Sequence, residues 1–262
     1  MLLDMDTGYG DYNTATTAIK MIEKSGVAGV CIEDKLFPKH NSFLSNSGSD
    51  LEDPYKFAGK IKALHDATED PDFVVVARLE EFISGLGVDE AYRRACIYSE
   101  AGADAILVHS KRSDCSEIDE FMKLWNVSYA VPIIIVPTKY YTTQTDHFRD
   151  IEISTVIWAN HNLRASIEYM KRISEEIYYT ESLVSVEPKI ATVSEVFRLQ
   201  RDYELAEKEK EYVPTNNGTA IILSAKANEE VPKCFVKVNG DTIINRLVKG
   251  LGKIGINNIV TV

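Results

Sequence analysis

Cysteine is scarce in this 262-residue sequence: Cys31, Cys96, Cys115 and Cys234 stand alone, with no CxxC pair or other metal-ligand spacing. Isolated thiols in apolar surroundings read as reduced core groups, so neither a disulfide framework nor a zinc centre is expected. Long hydrophobic runs are missing as well. No segment approaches the roughly 20 apolar residues that cross a bilayer, and Met1-Leu2-Leu3-Asp4 has no signal-peptide character. The expectation is a cytoplasmic protein without a membrane partner. Positive charge is in deficit, with 29 Lys and Arg against 40 Asp and Glu and a net charge of −11. Phosphate backbones demand the opposite balance, so nucleic acid is not an expected partner. Acidity does suit a site that gathers a divalent cation. GxSxG, HExxH and Walker A patterns are absent too, which removes serine-hydrolase, zincin and P-loop chemistry.

What the sequence does have is alternation. Short β-branched runs at 1–5, 27–32, 73–79, 105–109, 133–137 and 155–159 read as strands. Between them, 12–24, 51–67, 89–101, 116–125 and 163–178 carry apolar residues at spacings of three and four and read as helices. Repeated βα units around a parallel sheet follow. The connection 34–50 is rich in Ser, Asn, Lys and Gly. It is far longer than the ~2–6 residues usual for such a turn, as active-site lids often are. Beyond 178 lie a polar helical stretch at 193–212, a hinge at 214–218, a strand at 219–224, a helix at 241–253 and a strand at 258–262. Net charge changes from −14 over 1–213 to +3 over 214–262, which marks a boundary. Three regions are therefore expected: a barrel-type domain at 1–192, a helical extension and linker at 193–218, and an opening βαβ at 219–262 that is too short for a core of its own.

The strand ends collect the reactive side chains. Residues two apart on a strand point the same way, so Asp4 and Asp6 are expected to project together from the first. Glu33 and Asp34 close the second, Arg78 and Glu80 the third, His109 the fourth, Thr138 and Lys139 the fifth, and Asn160 and His161 the sixth. In a barrel these ends converge on the catalytic face. Asp4, Asp6 and Glu33 form an oxygen-only set suited to Mg²⁺; the alternative is that Glu33 pairs with Arg78 or a lysine. Arg78 offers a planar fork for a carboxylate or phosphoryl group, and Lys39 a mobile point charge. With Asn41 and Ser42, Lys39 sits on a segment able to close over an anionic substrate. His109 reads equally as a substrate ligand or as a hydrogen-bonded barrel histidine.

These residues resemble a known family. Leu3-Asp4-Met5-Asp6-Thr7-Gly8-Tyr9-Gly10 and Glu33-Asp34-Lys35-Leu36-Phe37-Pro38-Lys39-His40-Asn41-Ser42 are similar to the phosphoenolpyruvate mutases of the isocitrate lyase/phosphoenolpyruvate mutase superfamily. Val76-Ala77-Arg78-Leu79-Glu80, Ala105-Ile106-Leu107-Val108-His109-Ser110, Val136-Pro137-Thr138-Lys139-Tyr140-Tyr141 and Trp158-Ala159-Asn160-His161 extend the likeness to about residue 213. The resemblance implies an α/β fold, a (β/α)₈ TIM-type barrel of which the first two strands are not represented, and an isomerase that converts phosphoenolpyruvate to phosphonopyruvate. It implies Asp4 as direct Mg²⁺ ligand, Asp6 and Glu33 on metal-bound waters, Arg78 and His109 on the phosphoryl end, and Lys39, Asn41 and Ser42 as gating residues. Asn41 sets the loop apart from phosphonopyruvate hydrolase, the nearest alternative, and a loop without Cys disfavours the carbon–carbon lyases.

Further expectations attach to the same resemblance. Helix-swapped homodimers or tetramers are implied. The segment from Ala220, with Ile221-Ile222-Leu223-Ser224-Ala225, Val231-Pro232-Lys233 and Val236-Lys237-Val238-Asn239-Gly240, resembles the start of a Rossmann-like nucleotidyltransferase domain. Lys226-Ala227-Asn228-Glu229-Glu230 stands where a glycine-rich phosphate turn would be, and no nucleotide-binding residue is assigned. Set against the family, the chain reads as a piece of a longer enzyme, with a non-catalytic assembly module as the competing reading.

Overall fold

The computed structural model describes residues 1–39, 51–125, 131–212, 218–222 and 233–261. The chain divides into two compact units, Met1–Tyr169 and Met170–Val262.

The first unit contains β1 (Leu2–Asp4), α1 (Tyr12–Lys24), β2 (Gly29–Glu33), α2 (Pro54–Ala67), β3 (Val74–Leu79), α3 (Glu81–Ser84) and α4 (Val88–Glu100). It continues through β4 (Ala105–Val108), α5 (Ser116–Trp125), β5 (Ile133–Ile135), α6 (Thr145–Asp150), β6 (Thr155–Val156) and the start of α7 (His161–Thr180). The six strands form one sheet in the order β1-β2-β3-β4-β5-β6, every neighbouring pair parallel. A doubly wound sheet reverses its strand order at a switch point; this one never does, which is the winding of a (β/α) barrel wall.

Period-two alternation sorts the strand residues onto two faces. Val30, Ile32, Val75, Ala77, Leu79, Ile106, Val108, Ile133 and Ile135 join the larger apolar cluster, together with Ala15 and Ile19 of α1, Phe57, Ile61 and Leu64 of α2 and Ala91, Ala95 and Tyr98 of α4. Cys31, Val76, Ala105, Leu107 and Ile134 form a second cluster on the opposite face. Glu33 continues the parity of Cys31, Arg78 that of Val76, and His109 that of Leu107. The inner face therefore changes from apolar to charged at its C-terminal end.

Local signals account for the element ends. Asp11 caps α1 by accepting from Thr14 N at 2.9 Å, and Asp53 caps α2 by accepting from Tyr55 N and Lys56 N at 3.1 Å. This cap starts α2 at Pro54, three residues later than the periodicity suggests, because Leu51 bridges Lys35 instead. Gly29 is required by close approach: a Cβ there would lie 2.6 Å from Val74 O. The short helices α3 and α6 have no counterpart in the periodicity, being too brief to display one.

The second unit holds the rest of α7, then α8 (Val193–Gln200), α9 (Asp202–Tyr212), β7 (Thr219–Ile222), β8 (Lys237–Val238), β9 (Asp241–Thr242), α10 (Ile243–Lys253) and β10 (Asn258–Thr261). The single helical stretch expected at 193–212 is broken at Arg201, whose φ of 59° caps α8 in the left-handed conformation. Parallel pairing of β7 with β10, with α10 between them in sequence, makes a βαβ unit. Asn239 and Gly240, at φ 51° and 83°, turn the β8–β9 hairpin, an element missing from the strand assignment above. Among the described residues, no helix is long and apolar enough to cross a membrane.

Candidate active site

The β1–α1 loop begins the site. The expectation that Asp4 and Asp6 share one strand is corrected here: β1 ends at Asp4, and Asp6 has a left-handed φ of 59°. The two still form one corner, because Asp4 Oδ1 accepts from Asp6 N at 2.9 Å, and Asp6 O accepts from Glu33 N at 2.8 Å. The turn is held from α2. Lys60, only 4% exposed, donates to Thr7 O and to Glu52 Oε2, both at 2.9 Å. Gly8 permits this at φ 85°, where a Cβ would come within 3.2 Å of Lys60 Cδ.

From this corner a row of charges crosses the strand ends. Lys39 Nζ lies 3.8 Å from Asp6 Oδ1 and 3.1 Å from Glu33 Oε2, and Arg78 Nε lies 3.5 Å from the same Glu33 oxygen. Register explains the last contact, since Glu33 and Arg78 are direct partners on β2 and β3. Arg78 Nε also donates to Glu80 Oε1 at 2.7 Å. His109 Nδ1 lies 2.9 Å from Arg78 Nη2 and 2.8 Å from Glu80 Oε1. Thus Asp6, Lys39, Glu33, Arg78, Glu80 and His109 form one unbroken series, with Asp4 attached through Asp6.

Burial sets the electrostatics. Glu33 is 1% exposed, and desolvation pushes its carboxyl up to about 7 despite Arg78, with Glu80 adding to the rise and Lys39 opposing it. For Lys39 burial works downward, but Glu33 and Asp6 outweigh it and hold the ammonium above its ordinary value. Arg78 is likewise raised against burial by Glu80 and Glu33. His109 is lowered, chiefly by burial and also by Arg78, against the pull of Glu80, and is neutral near pH 7. Among the described residues, Asp6 Oδ1 and both Glu33 oxygens are buried without a well-aligned hydrogen-bond donor, although Lys39 and Arg78 stand against them.

Behind this row, a buried network anchors the base of the long loop. Asp34 accepts from Glu80 N at 3.1 Å, from Tyr98 Oη at 2.7 Å and from Arg94 Nη1 at 3.2 Å, while its own carbonyl accepts from Glu52 N at 2.8 Å. Arg94 also pairs with Glu81 at 3.2 Å and Glu90 at 2.8 Å. Burial and the neighbouring Asp34 raise Glu81 well above the ordinary carboxylate range, with Arg94 opposing the rise. Together with the Lys35–Leu51 bridge, these contacts bring the two ends of the loop together.

Of the expected residues, Asp4, Asp6, Glu33, Lys39, Arg78 and His109 are brought into one site. Asn41 and Ser42 lie outside the described residues. Thr138 is half-buried, and Lys139 and Asn160 are exposed. Sequence reasoning missed Lys60, Glu81, Arg94 and Tyr98. The signal for two of them was a basic residue on an apolar helical stripe: Lys60 among Phe57, Ile61 and Leu64, and Arg94 among Ala91, Ala95 and Tyr98.

A family model described as phosphoenolpyruvate phosphomutase matches residues 1–178. The chain belongs to that family. Phosphoenolpyruvate phosphomutase of Tetrahymena pyriformis is 53% identical over 81% of this chain and 70% of its own length. That of Streptomyces hygroscopicus is 44% identical over 80% of this chain and 66% of its own. The chain thus spans about two thirds of the length of these two relatives. The crystal structure of a phosphoenolpyruvate phosphomutase from Streptomyces platensis subsp. rosaceus superimposes with a TM-score of 0.76 at 39% identity, covering 81% of this chain and 73% of that one. A structure of phosphonopyruvate hydrolase in complex with oxalate and Mg²⁺ is 35% identical, with a TM-score of 0.72 and coverage of 81% and 72%. Within the family, the corner of Asp4 and Asp6 and the row from Lys39 to His109 occupy the C-terminal ends of barrel strands, where this architecture carries its chemistry.

Proposed function

We propose that this chain is an isomerase that interconverts phosphoenolpyruvate and phosphonopyruvate by intramolecular phosphoryl transfer, the C–P bond-forming step that opens phosphonate biosynthesis. The observation that carries this reading is the continuous series Asp6–Lys39–Glu33–Arg78–Glu80–His109 at the strand ends. Mg²⁺ fits the donor set, because Asp4, Asp6 and Glu33 offer only oxygens, and among the described residues Asp6 Oδ1 and both Glu33 oxygens are buried without a well-aligned donor. Asp4 would hold it directly, with Asp6 and Glu33 on its waters. When bound, it supplies neutralisation of charge on the phosphoryl and carboxylate oxygens.

The chain's own groups bind, orient and keep the site dry. Arg78 and His109 hold the phosphoryl end. Glu80 fixes the Arg78 fork through the 2.7 Å Nε–Oε1 bond, so the guanidinium is oriented before substrate arrives. His109, neutral in its buried position, presents a hydrogen-bonding ring rather than a second cation. Lys39, with Asn41 and Ser42, forms the gating segment. In the transfer, the enol O–P bond breaks, the C–P bond to the methylene carbon forms and the enol oxygen becomes a ketone. No proton moves, so positioning and exclusion of water decide the outcome. Water admitted at this stage would take the phosphoryl group and release phosphate.

Two further readings belong to the proposal. Residues 219–262 form the opening of a nucleotidyltransferase-like domain, supported by the parallel β7–β10 pair around α10. The protein assembles as a homodimer or tetramer through α7, supported by a helix with no buried residue that leaves Leu163, Ile167, Met170 and Ile177 exposed. The decisive experiment is ³¹P NMR of phosphonopyruvate with Mg²⁺ and the full chain. A phosphate-ester signal supports the mutase, free phosphate replaces it with the hydrolase, and an unchanged phosphonate signal overturns the catalytic reading.

A further inference from the structure

Away from the strand-end carboxylates, a second constellation joins α5 to α6. Cys115 immediately precedes α5, and Asp119 lies one turn into it, with Asp119 N donating to Cys115 O at 2.9 Å. Residues four apart on a helix face the same side, so the thiol and the carboxylate are neighbours. The third member comes from α6, where His147 Nε2 lies 2.7 Å from Asp119 Oδ1. α6 is held in place by its next residue, since Phe148 is 2% exposed and packs edge-on against Tyr140 at 6.2 Å. The Cys115 sulfur, an Asp119 oxygen and a His147 nitrogen all lie within 4.8 Å of one another.

We infer that Cys115, Asp119 and His147 form a transition-metal site, with Zn²⁺ as the fitting ion. A tetrahedral Zn²⁺ with bonds of about 2.0–2.3 Å holds its ligand atoms roughly 3.3–3.6 Å apart. Lengthening the His147–Asp119 contact by less than about one ångström through side-chain rotation meets that spacing. One sulfur, one nitrogen and one oxygen donor suit Zn²⁺ and are foreign to Mg²⁺, which takes oxygens. The site is also accessible. Asp119 and His147 line a pocket of about 380 Å³ with Met122, Lys123, Asp150 and Ile151, which leaves the fourth position to water and gives the ion a way in past the carboxylate. Cys115, 7% exposed, closes the inner side. Binding exchanges the thiol proton for the ion and releases that proton to solvent. The ion would tie the start of α5 to α6. Cysteine spacing alone conceals such a site, because its ligands come from two elements 28 residues apart in sequence.

The test is a Co²⁺ titration of the metal-free full chain in saturating Mg²⁺, which keeps oxygen-only sites filled. One equivalent should produce a thiolate-to-cobalt charge-transfer band and the intense visible bands of a tetrahedral ion, both removed by Zn²⁺. C115S should abolish the charge-transfer band while its circular dichroism and urea midpoint remain near those of the parent. H147N, at a side chain that is 41% exposed and dispensable for the core, should weaken Zn²⁺ binding by more than about 100-fold. Absence of the band in the parent, its survival in C115S, or unchanged Zn²⁺ affinity in H147N would overturn the assignment.

Discussion

Glu33 is the most informative residue to perturb. In the folded chain its carboxyl is raised from 4.5 to about 7, chiefly by desolvation. A raised acid binds its proton more tightly when folded, so stability falls as pH rises between the two values: the penalty is absent below about 4.5 and complete above about 7. At about 1.4 kcal/mol per pH unit, the displacement corresponds to about 3 kcal/mol. Glu33→Gln removes the titration. In Mg²⁺-free buffer, urea denaturation followed by fluorescence of buried Trp125 should give a variant-minus-parent stability that climbs by about 3 kcal/mol from pH 4.5 to pH 8. Taking the difference cancels the titrating groups that do not interact with Glu33. Adding Mg²⁺ at pH 8 should raise the parent's midpoint more than the variant's, which keeps Asp4 and Asp6 but loses one carboxylate. A difference that stays flat or falls with pH would refute the reasoning, because Glu33 would then be charged in the folded chain without cost.

Other substitutions probe the supports. Lys60→Met leaves Thr7 O and Glu52 without their donor and should cost about 2–4 kcal/mol by urea titration. It should also raise the Mg²⁺ concentration required for phosphonopyruvate turnover, since the Asp4–Asp6 turn loses its anchor. Arg94→Met strands Asp34 beside Glu81 in the interior. It should destabilise by about 3–5 kcal/mol, and Arg94→Lys should recover only part because the forked contacts to Asp34, Glu81 and Glu90 are lost; thermal unfolding reads both. Gly29→Ala drives a Cβ to within 2.6 Å of Val74 O and should cost about 1–3 kcal/mol in the same assay, with the β2–β3 register shifted near Glu33 and Arg78.

The barrel-wall topology was legible because each strand announces itself as a short β-branched run and each long helix as an amphipathic stripe. Strand parity then carried Glu33, Arg78 and His109 to the charged end of the inner face. Asp6 reached the same place by another route, a left-handed turn that no alternation rule anticipates. Lys60 and Arg94 were hidden because a basic residue on a core stripe has its partners on other elements: Thr7 and Glu52 for one, Asp34 for the other. His147 carries no signal in the sequence, since Cys115 and Asp119, its neighbours in space, are distant along the chain.

By itself the sequence determined the order of βα units, the alternation that divides strand residues between two faces and the family to which the motifs belong. These depend on contacts within a few residues, where the spacing of side chains is set by backbone geometry alone. Only the tertiary structure decided that Lys39 and Arg78 share Glu33, that Glu80 orients both Arg78 and His109, and that Glu33 is buried enough to titrate near neutrality. Those outcomes depend on which strands pair and how much water they exclude. Burial and charge pairing are properties of neighbours brought together from afar, and no single segment encodes them.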